Sequence, residues 1–456
     1  MVESNQMDAF VAWAKRRGVI WPSSEIYGGL SNSYDYGPIG VEMKNRLRAH
    51  WWRSMVHERN DIVGLDSPII LNPKVWEAAG HTENFTDPLV EDLVTHKRYR
   101  ADHLDDPTKS PDGNPVSEPR NFNLMFKTMI GAVEDEAAAA YLRPETCQGI
   151  FINFKNIMDT GRQKIPFGVA QVGKSFRNEI TPGNFTFRTR EFEQMEMEFF
   201  VREEEADKWF DYWVEARLQW YIDLGVDKKD LRLVKHPKKA LAHYSKATTD
   251  IEYQYPWGWG ELEGIANRGS YDLTQHQKFS GKDMAVFDEE TKEKFTPWVI
   301  EPAAGLDRAL LVVLLNAWQS YGQGRGNVAS ARSSSETRSQ PSAISSHPNP
   351  NSDQAEVVLG VVSQLAAYDV AVLPLIKKPE LLKMSQKLVA SLREAGKHVF
   401  YDESGSIGRR YRRMDEIGTP VCYTVDFEST EGTTKGTVTA RDRDTMKQER
   451  IKIDNL

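Results

Sequence analysis

The sequence predicts an α+β fold: an antiparallel-sheet domain with flanking helices, followed by a smaller α/β domain. Three observations carry this. Residues 165–200 read as two long strands joined by a loop holding Pro182, Gly183 and Asn184. Residues 329–354, ASARSSSETRSQPSAISSHPNPNSDQ, hold almost no large apolar side chain and break the chain in two. Beyond that break, buried-strand runs such as VVLGVV and VAVLPL alternate with an amphipathic helical pattern.

Composition bounds the problem. At 456 residues the chain exceeds one ordinary domain and can bury a substantial core. No apolar run approaches the roughly 18 residues needed to span a bilayer. Residues 1–20 lack the apolar centre and small-residue cleavage site of a secretory signal. Cys147 and Cys422 are the only cysteines, and they form neither a metal-ligand spacing nor a disulfide framework. A cytoplasmic location is expected. Lysine and arginine total 58 against 66 acidic residues, a net charge of −8. That balance argues against indiscriminate nucleic-acid binding, DNA included, yet leaves room for a local basic patch.

Taken in order, residues 7–17 predict a short helix, and the Gly-, Pro- and aromatic-rich residues 19–40 a packed irregular segment. Residues 40–59 are helical by period, with Val41, Met43, Leu47, Trp51, Met55 and Val56 available for a buried stripe. Residues 63–71 read as a strand broken at Pro68. Residues 72–140 hold an insertion whose 104–120 stretch is polar and proline-rich, and His96 and His103 alone make no zinc site. In Arg143-Pro144-Glu145-Thr146 the carboxylate can pair with an ammonium group, or the segment can be a surface Arg–Glu pair.

Alternation sorts the hairpin into faces. Ala170, Val172 and Phe176 oppose Gln171, Ser175, Arg177 and Glu179, while Met195, Met197 and Phe199 oppose Arg190, Phe192, Gln194, Glu196 and Glu198. Ordinary exposed hairpins show the same pattern. Residues 201–250 are helical and charged, with aromatics at spacings that suit a core, and read as a scaffold insertion. Residues 253–273 return to strand. Glu261 and Glu263, two apart, fall on one face, where they could hold Mg²⁺ beside a triphosphate or simply meet solvent. Residues 298–308 predict a strand and a small-residue turn leading into the buried helix ALLVVLL. In the last domain, Arg409, Arg410, Arg412 and Arg413 concentrate charge that serves either a solvated helix face or phosphates.

The residues themselves carry a resemblance. Phe176-Arg177-Asn178-Glu179 followed by Arg190-Glu191-Phe192-Glu193-Gln194-Met195-Glu196 resembles motif 2 of the class II aminoacyl-tRNA synthetases, most closely the homodimeric glycyl type. Residues 40–71 resemble motif 1, the dimer-forming helix and strand of that class, although their spacing equally suits a helix packed on its own sheet. Residues 298–308, WVIEPAAGLDR, resemble motif 3, and Gly-Glu-Leu-Glu-Gly-Ile-Ala-Asn-Arg at 260–268 matches the glycyl type almost residue for residue. Residues 406–418 and 439–444 look like the anticodon-binding domain shared by several members.

The resemblance implies a two-step ligase. Glycine attacks ATP to give glycyl-adenylate and pyrophosphate, and the glycyl group then passes to the 3′ end of tRNA(Gly). Arg177, Glu261 and Arg308 are the implied catalytic residues. ATP falls to these with Asn178, Glu179, Phe187, Arg188, Thr189, Arg190, Glu191, Phe192, Leu262, Gly305, Leu306 and Asp307. Glycine falls to Arg100, Glu145, Phe192, Glu193, Gln194, Met195, Glu196, Glu301, Pro302, Ala303, Ala304 and Gly305, with Ala303 standing where some relatives have serine. Glu261 is the implied Mg²⁺ ligand, and the four arginines of residues 409–413 the implied tRNA contacts. Some relatives carry zinc-binding cysteines before the Arg100-Ala101-Asp102 segment; here no cysteine stands there, and no zinc is expected. The expected organisation is a catalytic core over 1–325 with insertions at about 72–140 and 201–250, a disordered linker over 326–354, and an anticodon-binding domain over 355–456. The rivals are a class II enzyme for another amino acid, which GELEGIANR and RPET argue against, and a non-catalytic relative, which the joint presence of Arg177, Glu179, Glu261 and Arg308 argues against.

Overall fold

The computed structural model describes residues 2–132, 138–242, 244–289, 291–321 and 356–456. The stretch read as a linker, 326–354, lies outside the described residues.

Helix α1 (Val2–Arg16) buries Phe10, Trp13 and Ala14. Helix α2 (Pro38–Trp52) starts on a proline, whose fixed φ suits a first turn, and buries Ile39, Met43, Leu47 and Trp51; a π-helical turn (Arg53–His57) then adds Met55. Val41 is exposed, because it lies two residues, not three or four, from the Met43–Leu47–Trp51 stripe. Gly40 lets the helix meet the main chain, since a Cβ there would stand 1.9 Å from the Val19 carbonyl oxygen. Of the expected strand over 63–71, Val63 and Gly64 pair within β1 (Ile62–Gly64) and Ile70 makes an isolated bridge to Leu142, while between them the Ser67 amide is taken up by the Gln171 side chain.

The hairpin forms as β2 (Phe167–Phe176) and β3 (Glu191–Val201), in register from Phe176 opposite Glu191 to Phe167 opposite Phe200. A 15-residue helix, α3 (Cys147–Gly161), precedes it. After it come α4 (Ala206–Asp223), β4 (Leu231–Lys235), β5 (Ala247–Tyr255), β6 (Gly258–Gly269), α5 (Tyr271–Ser280), β7 (Trp298–Gly305) and α6 (Leu306–Ala317). The seven strands run β4-β5-β6-β7-β3-β2-β1, antiparallel except for the parallel β1–β2 pair. The 201–250 stretch is therefore more than a scaffold insertion, for it supplies edge strand β4 and, in α4, the buried Phe210, Trp213, Val214, Trp220 and Tyr221.

The two faces of the sheet differ. Met195, Met197, Phe199 and Ala170 join α1, α2, α4 and α6 in one apolar cluster. On the other face α3 covers half of the sheet, setting Phe151 and Phe154 against Phe167 and Phe200. The remaining half is left open. Residues Thr86–Glu91, Arg98–Arg100 and Arg120–Asn123 form a three-stranded sheet within the 72–140 insertion.

Strand β8 (Trp318–Tyr321) pairs with β9 (Glu356–Leu359). There follow β10 (Val370–Pro374), α7 (Pro379–Glu394), β11 (Val399–Tyr401), α8 (Ile407–Glu416), β12 (Val421–Val425), β13 (Thr437–Asp442) and β14 (Gln448–Lys452). They make a mixed sheet ordered β11-β10-β12-β13-β14. The Trp13 indole donates to the Glu416 carbonyl at 3.1 Å, and Arg46 pairs with Asp369 at 2.8 Å. Among the described residues no helix is long and apolar enough to cross a membrane.

Candidate active site

The open half of the large sheet floors a cavity of about 340 Å³. Its lining draws on β3, β6, β7, the loop between β2 and β3, and the turn before α3. At the outer end, Arg177 donates to the Pro144 carbonyl at 3.0 Å, and its guanidinium lies 5.3 Å from the ring centres of both Phe85 and Phe192. Arg308, in the first turn of α6, stands 4.3 Å over the Phe187 ring and 3.2 Å from a Glu261 carboxylate oxygen. Arg188 grips Glu179 through two hydrogen bonds. Two cationic planes thus sit over aromatic rings at the rim, an arrangement suited to a flat base and an attached polyanion.

The inner end is acidic. Glu196 accepts from the Thr146 amide at 3.0 Å and from its hydroxyl, so the N-terminal end of α3 faces this carboxylate. Glu301 accepts from Arg268 at 2.7 Å, and Arg268 also binds Asp272 through two nitrogens while Tyr244 lies 3.8 Å beneath it. Glu145 accepts from Cys147 and Gln148 and stands 3.1 Å from His81 Nε2. Burial pushes Glu196 up to about 8, with the Glu301 and Glu145 charges adding to it. Glu301 is pushed up to about 7 by burial, against the opposing pull of Arg268. For Glu145 burial acts in the same sense, but the nearby His81 and Arg268 outweigh it and hold the carboxyl well below its usual range. A pocket of this kind attracts a small cation that brings its own hydrogen-bond donors.

The residues expected from sequence divide. Arg177, Glu179, Phe187, Arg188, Thr189, Phe192, Glu261, Gly305, Asp307 and Arg308 all line the cavity, as do Glu145, Gln194, Glu196, Glu301, Ala303 and Ala304. Others do not. Glu193 and Met195 fall on the opposite face of β3 by strand alternation: Glu193 pairs with Lys44 and Arg48, and Met195 is core. Leu262 and Leu306 are fully buried, and Pro302 is buried opposite Ile265 on β6. Asn178 spends its amide on the Leu124 carbonyl and lies outside the lining. Arg190 and Glu191 border a neighbouring cavity of about 610 Å³, with Glu191 held by Lys174. Arg100 is committed to Asp87 and Asp102 in the small sheet and reaches the site only indirectly, since Asp87 lies 3.8 Å from Arg188.

Glu261 and Glu263 do not share a face. The register steps from Glu252 opposite Glu261 to Ile251 opposite Glu263, so Leu262 is an extra residue in the strand. Glu261, Gly264 and Ala266 then face the cavity, while Glu263 turns under α4 and binds Arg217 at 2.6 and 3.1 Å. In α8, Arg409 and Arg412 are exposed. Arg410 is buried on the carbonyls of Pro374, Leu375 and Asp402, and Arg413 pairs with Asp402. Sequence reasoning missed Arg268, Asp272, His81, Tyr244, His236 and Asp250. Arg268 ends the GELEGIANR segment and is the most accessible of them to such reasoning; the others come from segments with no chemical spacing to mark them.

Comparison with known proteins places this geometry. The family model of the class II tRNA synthetase core domain (G, H, P, S and T) matches residues 127–317, and that of the anticodon binding domain matches residues 369–456. A glycine–tRNA ligase of Thermobifida fusca is 50% identical over 475 aligned positions, covering 100% of this chain and 97% of that protein. Another, from Corynebacterium glutamicum, is 50% identical and covers 100% and 98%. A crystal structure of prolyl-tRNA synthetase from Cryptosporidium parvum, complexed with L-proline and AMP, superposes with a TM-score of 0.62 at 15% identity, covering 98% of this chain and 75% of that one, and so shares the fold. With half of its residues shared across the full length of these relatives, the chain belongs to the glycine–tRNA ligase family of class II synthetases.

Proposed function

We propose that this chain activates glycine with ATP and passes the glycyl group to tRNA(Gly), with the acidic end of the cavity holding the amino acid and the cationic end holding ATP. The observation that carries the reading is the convergence of Glu145, Glu196 and Glu301 at one end of a cavity whose other end holds Arg177, Phe192 and Arg308. The glycine ammonium group enters the carboxylate ring. This directs its carboxylate toward Arg177, where the α-phosphate of ATP lies in line. The attacking carboxylate is already ionised, so no general base is required. Positioning and charge neutralisation do the chemistry, with Arg177 offsetting the charge that develops on the phosphate. Phe192 and Arg308 flank the adenine.

Selectivity rests on exclusion. Glycine offers no side chain to grip, and a closed wall penalises an added methyl group by about 1–3 kcal/mol through overpacking. Ala303 occupies the wall where a serine would add a hydroxyl, leaving the ammonium group to the three glutamates. For Mg²⁺ the donor set fits one carboxylate contact: Glu261 is half exposed at the cavity, and Glu263 is committed to Arg217. Glu261 would hold the ion, which when bound neutralises phosphate charge.

On this reading the chain divides into a catalytic part over 1–325 and an anticodon-binding part over 355–456, acts in the cytoplasm, and works as a homodimer. The strongly exposed Ile26, Tyr27 and Leu30 are apolar surface that a second copy would cover, and light scattering on the full chain checks the assembly. The activity is tested by amino-acid-dependent ATP–pyrophosphate exchange across all twenty amino acids. Exchange with glycine alone is expected. Exchange with another amino acid overturns the pocket assignment, and none at all in a folded protein that binds tRNA overturns the enzyme.

A further inference from the structure

Glu198 belongs to none of the roles above. It follows Glu196 by two residues on β3 and so presents its side chain to the same face. Register places it opposite Glu301 on β7, since Glu196 pairs with Ala303 and Phe199 with Ile300 on either side. Its side chain is fully buried, and neither carboxyl oxygen accepts a hydrogen bond from a neighbouring donor. Ligand atoms of Cys147, Glu196, Glu198 and Glu301 all lie within 4.8 Å of one another.

Three carboxyl groups so confined cannot all be ionised, because like charges directly opposed across strands repel strongly away from water. The neighbouring donors decide which one keeps a proton. Glu196 receives the Thr146 amide and hydroxyl, and Glu301 receives the Arg268 guanidinium, which Asp272 shares. Both sets favour a carboxylate. Glu198 receives no donor, and across β2 it faces apolar Val169.

We propose that Glu198 is a positioning residue of the amino-acid pocket: it retains its proton and turns it toward Glu301, fixing that carboxylate for the substrate ammonium group. Burial, with the charges of Glu301 and Glu196 added, pushes Glu198 well above the ordinary carboxyl range. In return, a hydrogen bond from Glu198 pulls Glu301 downward, so the neutral acid helps its neighbour stay charged. An ionised Glu198 would instead crowd the cluster with a further negative charge. The inference rests on the reading of this pocket as the glycine site.

Steady-state glycine-dependent exchange on the full chain tests it with a pair of variants. Glu198→Ala removes the donor and is expected to raise the glycine KM about tenfold, with the ATP KM moving less than about twofold. Glu198→Gln keeps a neutral donor of the same shape and is expected to bring the glycine KM back to within about threefold of the parent. The acid limb of glycine kcat/KM should move to higher pH in Glu198→Ala, because Glu301 loses a donor that lowers it, and return in Glu198→Gln. Infrared difference spectra of the parent and Glu198→Gln at neutral pH should show that one protonated-carboxyl band disappears in the variant, which decides the matter even if Glu198→Ala does not fold. The proposal is overturned if Glu198→Gln is as impaired as Glu198→Ala, if Glu198→Ala leaves the glycine KM unchanged, or if no such band disappears. Exchange by the parent with an amino acid other than glycine overturns the substrate reading instead, and the same pair is then scored with that amino acid.

Discussion

Glu196 and Glu301 are the residues on which the pocket's pH response turns. Both carboxyls are raised by burial, to about 8 and about 7, so the free enzyme carries them partly protonated at neutral pH. Binding an ammonium group needs them charged. Glycine kcat/KM is therefore expected to climb between pH 6 and 8, by up to about tenfold per unit where one ionisation controls it. ATP KM should stay nearly flat over the same range. Stability must respond in the opposite sense. A carboxyl whose folded pKa lies above its unfolded one contributes stability below about pH 4.5, lost as pH rises through 7 to 8. The rise in Tm produced by saturating glycine should accordingly be larger at pH 8.5 than at pH 6. Glu196→Ala removes the carboxylate that Thr146 orients and should raise the glycine KM far more than the ATP KM. Equal effects on the two constants would exclude Glu196 from the glycine site.

At the scale of the element, a single extra residue in β6 separates two glutamates that the sequence places together. Glu263 is nearly fully buried and paired with the equally buried Arg217, whereas Glu261 meets the cavity. Removing one partner of a buried pair leaves the other charge uncompensated, so Glu263→Ala should cost about 3–5 kcal/mol of stability, read as a fall in Tm or in denaturant midpoint. Glu261→Ala should leave the Tm almost unmoved and instead alter the Mg²⁺ dependence of pyrophosphate exchange. The reverse pattern would restore the pairing that simple alternation implies. The same element marks the limit of what the sequence discloses. The hairpin faces of β2 and β3 follow from alternation, because both strands run unbroken and one side must be apolar. A bulge leaves no such trace, since Leu262 is an unremarkable strand residue and only the step in register reveals it. For the same reason Arg268 stands within GELEGIANR without its role being visible: its partners Asp272 and Glu301 are fixed by a turn and by a strand 33 residues away. Glu193 and Met195 fall among the expected glycine residues only because the motif is an unbroken stretch, although alternation alone sends both to the far face.

For the whole molecule, the question is how separable the two sheets are in function. Val357, Leu359, Leu365, Ala371 and Met414 join the same apolar cluster as α1, α2 and the large sheet, so the last hundred residues are packed on the rest. Yet α8 keeps Arg409 and Arg412 in solvent while the cavity lies over β3, β6 and β7. Neither arginine lines the cavity, and exposed charges are strongly screened at ordinary salt, so the pair should have little effect on the pocket. Arg409→Ala with Arg412→Ala should therefore leave glycine-dependent pyrophosphate exchange intact while weakening tRNA charging. If the two arginines meet phosphates, the slope of tRNA affinity against salt should fall by about one for each phosphate no longer neutralised. Arg410→Ala belongs to a different class despite standing between them. It strips the donor from the Pro374, Leu375 and Asp402 carbonyls in a buried position and should lower stability by about 2–4 kcal/mol, impairing charging only through loss of the folded domain. Charging that fails in Arg410→Ala with an unchanged Tm, or survives unchanged in the double variant, would move the tRNA interface away from the exposed edge of α8.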